Sequence, residues 1–209
     1  NAISLTTPEL TYSWDQSIAQ GVQDLVNAVN TQMADGDVDA ANPLWIFGYS
    51  QSAVVASMAM QQLAEEGIPT DDLHFVLIGD TASAHGGFLS TFVSSLPESW
   101  QSFAVQVLDS LDLGNLIGVT TPDDLYPTDV YTITGDGWAD WPQELTLSNL
   151  GTAINGQNVE HVEYLGLDPA IIASASEQTD GLVNYFTIPT DNIDVLSTLW
   201  NAALAIVGL

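Results

Sequence analysis

Apolar residues along the first half of the chain follow two alternating patterns. Short apolar runs at 44–47 and 75–78 are bounded by turn residues, as is typical of buried strands. Apolar residues at three- and four-residue steps precede each run, from Ser17 to Gly36 and from Ser50 to Gly67. Each helical pattern ends at a glycine, which can adopt the left-handed conformation that closes a helix. This alternation of helix and strand predicts an α/β fold with three layers and a mostly parallel central sheet.

Elsewhere in the chain the pattern of apolar and polar residues is less regular. The residues before Asp15 favour extended chain, and 81–87 favours a polar loop. The stretch 88–116 is apolar without a clean period, which fits a lid or acyl-binding region and plain core equally well. Further along we predict a strand at 130–134, a helix at 145–154, a strand at 185–188 and a helix at 193–207.

Length and composition favour one domain. The chain has 209 residues and 46% hydrophobic content, enough for one substantial core, so we expect a single globular domain over residues 1–209. No run of 18 or more apolar residues occurs, and we expect no segment of the signal type at the start of this sequence. We therefore expect no integral membrane span.

The charge balance restricts the partners. The chain carries 27 acidic residues and no lysine or arginine, a formal net charge of −27. Because no cationic side chain could neutralise a phosphate, we expect neither nucleic acid nor anionic lipid nor phosphorylated compounds as partners. A substrate should be neutral. The sequence leaves the oligomeric state open.

Cofactor chemistry has little support in the sequence. There is no cysteine, which removes disulfides, thiol catalysis and thiolate metal sites. The three histidines are far apart and form no H-E-x-x-H pair. We therefore expect no cofactor, with a calcium ion held by loop carboxylates as a weaker alternative.

The most specific chemical pattern lies at residues 48–52, GYSQS. It joins an apolar strand to a helix and resembles the G-x-S-x-G turn that lifts a serine hydroxyl out of the end of a sheet. Ser52 replaces the second glycine of this motif, and serine is also a small residue, so the departure weakens the match only slightly. Ser50 is therefore the candidate nucleophile, and the alternative is an ordinary turn that contains a serine.

A serine nucleophile needs a base, which is usually a histidine. In sheet hydrolases with this turn the order along the chain is serine, acid, histidine, which favours His161. His74 immediately precedes a predicted strand and is expected to be structural. His85 lies in the loop after Asp80 and could line the site.

Position along the chain also selects the acid. Asp136 directly follows the strand predicted at 130–134, so it should project at the same edge of the sheet as Ser50. Asp140 is its rival, while Asp129 and Asp124 precede that strand and rank lower.

The oxyanion of a tetrahedral intermediate needs fixed donors. The backbone N–H of Gln51, the residue after the nucleophile, is the expected first donor. The second donor has no clear position in the sequence, and Thr6 and Thr7 are weak guesses.

Longer motifs resemble a known family. The segments GYSQSAVVAS, FVLIGD, YPTDVYTITGDGWADWP and YFTIPTDNIDVLSTL are together similar to the PE-PPE domain, a serine α/β-hydrolase domain of mycobacteria and related actinobacteria. The resemblance covers nearly the whole chain and implies an α/β-hydrolase-like fold, with the chain starting after the family's first strand.

The same resemblance implies a function. It indicates esterase, lipase or acyltransferase activity on neutral lipid-like or polyester acyl substrates, in a secreted or cell-envelope protein. Its triad corresponds to Ser50, Asp136 and His161, and the GYSQ element resembles cutinases, in which the glutamine helps to build the oxyanion hole. From a different class, a non-catalytic hydrolase-like domain that binds acyl chains or a partner remains the alternative.

Overall fold

One five-stranded sheet organises the protein in the computed structural model, which describes residues 2–6 and 13–207. The strands lie in the order β1-β2-β3-β5-β4. The first four in this order are parallel, and β4 is antiparallel to β5. The strand bounds are Leu44–Tyr49 (β1), Leu73–Ile78 (β2), Thr128–Ile133 (β3), Ser176–Asp180 (β4) and Val183–Ile188 (β5).

Eight α-helices are found within the described residues. They are Trp14–Asp35 (α1), Gln51–Glu65 (α2), Phe88–Thr91 (α3), Glu98–Ser110 (α4), Leu150–Gly156 (α5), Glu160–Glu163 (α6), Pro169–Ile172 (α7) and Val195–Val207 (α8). Short 3-10 helices cover Thr70–Asp72, Gly114–Leu116, Tyr164–Gly166 and Thr190–Asn192. In the part of the chain that is described, no helix is both long and apolar enough to cross a bilayer.

Apolar side chains pack against the sheet in two clusters. The larger core joins α1 and α2 to the sheet, with Ile18 and Val54 packed in one cluster with Phe75 and Leu77. A smaller cluster forms around Ile133, Ile188 and Ile193, at the ends of β3 and β5. Helices surround the mostly parallel sheet, which confirms the predicted three-layer α/β fold.

Some predicted boundaries were wrong. Helix α1 begins at Trp14 rather than Ser17. The helix predicted from residue 145 begins at Leu150, because Asn149 accepts a hydrogen bond from the N–H of Thr146 and holds the preceding residues in a turn. Strand β4 was not predicted, since its five residues, SEQTD, are polar and all exposed.

The apolar stretch 88–116 divides between core and surface. Phe88, Leu89 and Leu116 are buried in the main core. On α4 and just beyond it, Trp100 and Leu111 are 60% and 61% exposed. The stretch therefore contributes to the core near its two ends, while α4 presents apolar side chains to solvent.

Candidate active site

The candidate site begins at the sharp turn between β1 and α2. Ser50 has φ 56° and ψ −120°, a conformation that costs energy for any residue with a side chain. A Cβ at Gly48 would lie 2.7 Å from the carbonyl oxygen of Ser52 and 2.8 Å from the Cα of Ala53. Only glycine fits there, because the strand and the helix approach each other so closely.

Ser52 closes the same turn. Its Oγ accepts a hydrogen bond from the N–H of Tyr49 and donates one to the carbonyl oxygen of Tyr49, both at 2.8 Å. A glycine at this position could make neither bond. The serine that departs from the G-x-S-x-G pattern therefore ties the end of β1 to the start of α2.

The structure brings together the three residues that the sequence proposes as a triad. The Oγ of Ser50 lies 2.8 Å from Nε2 of His161, and Nδ1 of His161 lies 2.8 Å from Oδ2 of Asp136. Asp136 is fully buried and His161 is 8% exposed. With Nδ1 protonated, Nε2 accepts the hydroxyl proton of Ser50, which is the arrangement of a nucleophile, a base and an orienting acid.

Strand order explains why these residues meet. Ser50 follows β1 and Asp136 lies just beyond β3, and both strands pair with β2 in parallel. The carboxyl ends of parallel strands share one edge of the sheet, so the two side chains project on the same side. His161 comes to them on the short helix α6.

Three donors surround the buried carboxylate of Asp136. Besides His161, the backbone N–H of Trp138 donates to Oδ1 at 2.9 Å, and the hydroxyl of Tyr164 donates to Oδ2 at 2.8 Å. A buried carboxylate without partners is costly, and hydrogen bonds from several donors offset the lost water. The charge is thus held in place beside the imidazole.

Two tyrosines enclose the imidazole of His161. The ring of Tyr49 stacks on it with centroids 5.5 Å apart, and the Tyr49 hydroxyl donates to the His161 carbonyl oxygen. Burial, with a smaller effect of the Asp136 charge, raises the pKa of Tyr49 to about 12. The same two causes raise the pKa of Tyr164 well above its ordinary value. Both hydroxyls therefore remain protonated donors at neutral pH.

Gly79, which follows β2, makes room for these rings. A Cβ at this position would lie 3.0 Å from Cε1 of His161 and 3.1 Å from Cε2 of Tyr164. Its φ of 57° is also one that residues with side chains rarely adopt. The glycine directly after β2 therefore leaves room for the imidazole of His161 to pack against the chain.

Gln51 is the residue that the sequence proposes as an oxyanion donor. It is the first residue of α2, so its N–H has no partner within the helix. Its side chain is 7% exposed and accepts a hydrogen bond from the fully buried Ser17 hydroxyl at 3.1 Å. Of the guesses for a second donor, Thr6 is exposed beside the outer edge of β1, and Thr7 lies outside the described residues.

The rival acids have other partners. Oδ2 of Asp140 accepts a hydrogen bond from the N–H of Gly135 at 2.8 Å and so closes the turn that carries Asp136. Asp129 contacts His74 at 3.0 Å and also accepts from Asn184. Asp124 is exposed.

The other two histidines also pack elsewhere. The ring of His74 stacks on Trp45 with centroids 4.0 Å apart. His85 stacks on Tyr185 at 3.9 Å and lies 3.8 Å from a carboxylate oxygen of Asp180. Within the described residues neither histidine forms a hydrogen bond with Ser50 or Asp136. No group of three or more potential metal ligands occurs in residues 2–6 and 13–207.

Aromatic side chains pack against one another beside the candidate triad. Trp138 lies 6.4 Å from the imidazole of His161, between centroids. Trp14 stacks on Trp138 at 5.9 Å, and Phe88 meets Trp138 edge-on at 5.2 Å. This aromatic cluster is assembled from the start of α1, from α3 and from the loop after β3, with Trp14 and Trp138 half-buried and Phe88 buried.

A groove lies to one side of this site. It has a volume of about 520 Å³ and runs between α1 and the outer edge of β1, where Trp45 and Phe47 line it. One end reaches Ser52, but its lining does not include Ser50 or His161. We therefore assign the candidate chemistry to the hydrogen-bonded triad and not to the groove.

Sequence reasoning missed several neighbours of the triad. Tyr164 follows His161 by three residues, a helical spacing that could have pointed to it. Tyr49 directly precedes Ser50 in the turn motif. Ser17 carried no comparable signal, since its contact with Gln51 joins two separate segments of the chain.

Comparison with known proteins agrees with the motifs. Residues 2–204 match the model of the PE-PPE domain. The chain is 34% identical over 195 residues to an uncharacterized PPE family protein, PPE28, of Mycobacterium tuberculosis, covering 90% of this chain and 27% of that protein. It is 32% identical over 201 residues to Esterase PE16 of the same species, covering 92% and 34%, respectively.

A third relative is similar in extent. PPE42, another uncharacterized PPE family protein of Mycobacterium tuberculosis, is 31% identical over 197 residues, covering 90% of this chain and 30% of its own length. The chain thus spans about a third of the length of these relatives. No solved structure matches it. The family match covers nearly all of the chain, and the chain therefore belongs to the PE-PPE domain family.

Proposed function

We propose that this domain is a serine esterase that cleaves neutral acyl esters through an acyl-enzyme on Ser50. The observation that carries the proposal is the continuous hydrogen-bonded chain from Ser50 through His161 to the buried Asp136, with 2.8 Å at each step. A relative named Esterase PE16, 32% identical over 201 residues, supports the same class of reaction.

Acylation is the first half of the proposed reaction. Nε2 of His161 takes the hydroxyl proton as the Oγ of Ser50 attacks the ester carbonyl carbon. The N–H of Gln51 donates to the oxygen of the tetrahedral intermediate. The imidazolium, stabilised by Asp136, then protonates the leaving alkoxide, the C–O bond to it breaks, and the acyl group remains as an ester on Ser50.

Deacylation reverses these roles. His161 takes a proton from water, the oxygen of that water attacks the acyl carbonyl, and the proton returns to Oγ of Ser50 as the carboxylic acid leaves. If an alcohol replaces water, the product is a new ester and the enzyme is an acyltransferase. Both reactions share the same acyl-enzyme.

The electrostatics favour a neutral substrate. The chain has a formal net charge of −27 and no lysine or arginine, so an anionic substrate would be repelled and would find no cationic side chain to bind. The half-buried rings of Trp14 and Trp138, beside the imidazole of His161, suit an apolar acyl or alcohol group. Neutral lipid-like esters or polyesters outside the cell or in its envelope are the substrates proposed.

A fluorophosphonate probe tests the nucleophile directly. The intact protein should be labelled, mass spectrometry should locate the label on Ser50, and Ser50→Ala should abolish it. Ser99→Ala, at an exposed serine of α4, is the matched control and should label normally. Absence of labelling in the intact protein, or labelling that survives Ser50→Ala, would contradict the proposal.

A p-nitrophenyl ester distinguishes the competing functions. A catalytic domain should release nitrophenol in a burst or at steady state, whereas an acyl-binding domain should bind the ester without releasing it. Adding a primary alcohol separates the two enzymatic outcomes, since an acyltransferase forms the new ester in preference to the free acid.

A further inference from the structure

The hydroxyl of Tyr164 has a fixed direction. It accepts a hydrogen bond from the backbone N–H of Ile133, the last residue of β3, at 2.8 Å. It donates its own proton to Oδ2 of Asp136, also at 2.8 Å. Because the N–H of Ile133 can only donate, the hydroxyl proton has Asp136 as its acceptor.

The oxygen that Tyr164 contacts is the one closest to the imidazole. Oδ2 of Asp136 lies 2.8 Å from Nδ1 of His161, while Oδ1 lies 3.0 Å away and also accepts from the N–H of Trp138. Tyr164 and His161 therefore share one carboxylate oxygen. A donor on that oxygen fixes its position and draws negative charge away from the imidazole.

We infer that Tyr164 is a positioning residue: through its hydrogen bond to Oδ2, it orients Asp136 and limits the negative charge that Asp136 presents to His161. This inference rests on the proposed function, because it assigns Tyr164 a role in the same reaction. Tyr164 acts through Asp136 and not through contact with the reacting atoms.

Few titratable groups face the imidazole. Asp136 comes from the segment after β3 and Tyr49 from the end of β1, and Tyr164 meets the imidazole edge-on at 6.1 Å between centroids. On α6 itself, Glu160 and Glu163 flank His161 in sequence and form no hydrogen bond with its ring. Among the described residues, Asp136 is thus the carboxylate that hydrogen-bonds the imidazole of His161.

Tyr164→Phe should change the pH dependence of the enzyme. Without the hydroxyl, more of the Asp136 charge acts on the imidazolium, so the acidic limb of kcat/KM should move to higher pH. We expect kcat to fall by about tenfold, the size of effect seen when a hydrogen-bond partner that orients a functional side chain is lost. KM should stay unchanged, because the Tyr164 hydroxyl contacts Ile133 and Asp136 and not the proposed site for the apolar group around Trp138.

Tyr126→Phe is the matched control. Tyr126 is fully buried, and its hydroxyl donates to the carbonyl oxygen of Ile68 at 3.1 Å, away from the triad. Tyr126→Phe removes the same hydroxyl oxygen from the same residue type as Tyr164→Phe. Its pH profile should overlay that of the unaltered protein, so a shift in Tyr164→Phe alone would report the contact with Asp136.

A second variant covers the case in which Tyr164→Phe does not fold, since that substitution leaves the N–H of Ile133 without its acceptor. Site-specific incorporation of 3-fluorotyrosine at position 164 keeps both hydrogen bonds and makes the hydroxyl a stronger donor. The acidic limb should then move to lower pH, opposite to the shift expected of Tyr164→Phe.

An NMR titration of the His161 Hε1 resonance separates the two proposals. The midpoint should rise in Tyr164→Phe and fall with 3-fluorotyrosine, whether or not the protein turns over an ester. Shifted midpoints with no fluorophosphonate labelling of Ser50 would refute the esterase and support only the effect of Tyr164 on the imidazole through Asp136. Labelling of Ser50 with unchanged midpoints and limbs would refute the role of Tyr164 alone.

Discussion

The hydroxyl of Ser17 on α1 donates a hydrogen bond to the side-chain carbonyl of Gln51, the residue after the candidate nucleophile, at 3.1 Å. Both side chains are buried, at 0% and 7% exposure. The first turn of α1 is thereby tied to the first turn of α2, where the proposed oxyanion donor lies. The contact fixes the carboxamide of Gln51 next to the candidate nucleophile, Ser50.

Ser17→Ala should therefore lower both stability and activity. The carbonyl of Gln51 would lose its partner, which typically costs about 1–3 kcal/mol for a buried group. We expect kcat/KM on a p-nitrophenyl ester to fall by roughly 3- to 10-fold, about 1 kcal/mol of transition-state stabilisation. Urea denaturation and steady-state kinetics measure the two effects, with Ser99→Ala as the exposed control. Equal values in Ser17→Ala and the unaltered protein would refute this role.

Gly79→Ala should impair the site more than the fold. The new Cβ would lie 3.0 Å from the imidazole of His161 and displace it, and small displacements of catalytic groups can reduce rates by about 100-fold. Gly118→Ala is a close match, because Gly118 has φ 79° and no atom within 4 Å of the position that a Cβ would take. Both variants should lose about 1–2 kcal/mol from backbone strain, and only Gly79→Ala should lose activity. Full activity in Gly79→Ala would be incompatible with the packing at this position.

Asp80 should make the protein less stable as the pH rises. Burial raises its pKa from 3.8 to about 6, and hydrogen bonds from Thr121 and Ala82 only partly oppose that shift. Because the folded-state pKa exceeds the unfolded one, the protonated carboxyl favours folding fully below pH 3.8. This contribution disappears as the pH rises through about 6, and amounts to about 3 kcal/mol.

Asp80→Asn tests this sign. The neutral amide should remove the pH-dependent loss. The free energy of unfolding of the variant, minus that of the unaltered protein, should therefore increase between pH 4 and pH 7. Asp124→Asn, at an exposed carboxylate, controls for the general change in net charge. A difference between Asp80→Asn and the unaltered protein that is constant across this range would show that the burial of Asp80 does not shift its pKa.

Salt should stabilise the folded protein. With a net charge of −27 and no lysine or arginine, the acidic surface repels itself, and added ions screen that repulsion. The melting temperature at neutral pH should rise between low salt and about 1 M sodium chloride. Near pH 4, where many carboxylates are protonated, the same series should give a much smaller rise. A flat series at neutral pH would contradict the prediction.

The sequence by itself determined the elements whose information is local. The apolar run 44–47, Gly48 and the helical pattern after Ser50 predict strand, turn and helix, because each depends on the conformational preferences of adjacent residues. Asp136 was proposed because it follows a strand, and His161 because of its order along the chain. Strand β4 had no such signal, since its polar residues are held in place by pairing with β5.

Only the tertiary structure decided which distant side chains touch. Strand order places the ends of β1 and β3 on either side of β2, and it thereby brings Ser50, His161 and Asp136 within hydrogen-bonding distance. The contacts of Tyr164 with Asp136 and of Ser17 with Gln51 join residues 28 and 34 positions apart. Spacing along the chain does not encode such contacts, because they depend on which strands pair and on how the helices pack across the sheet.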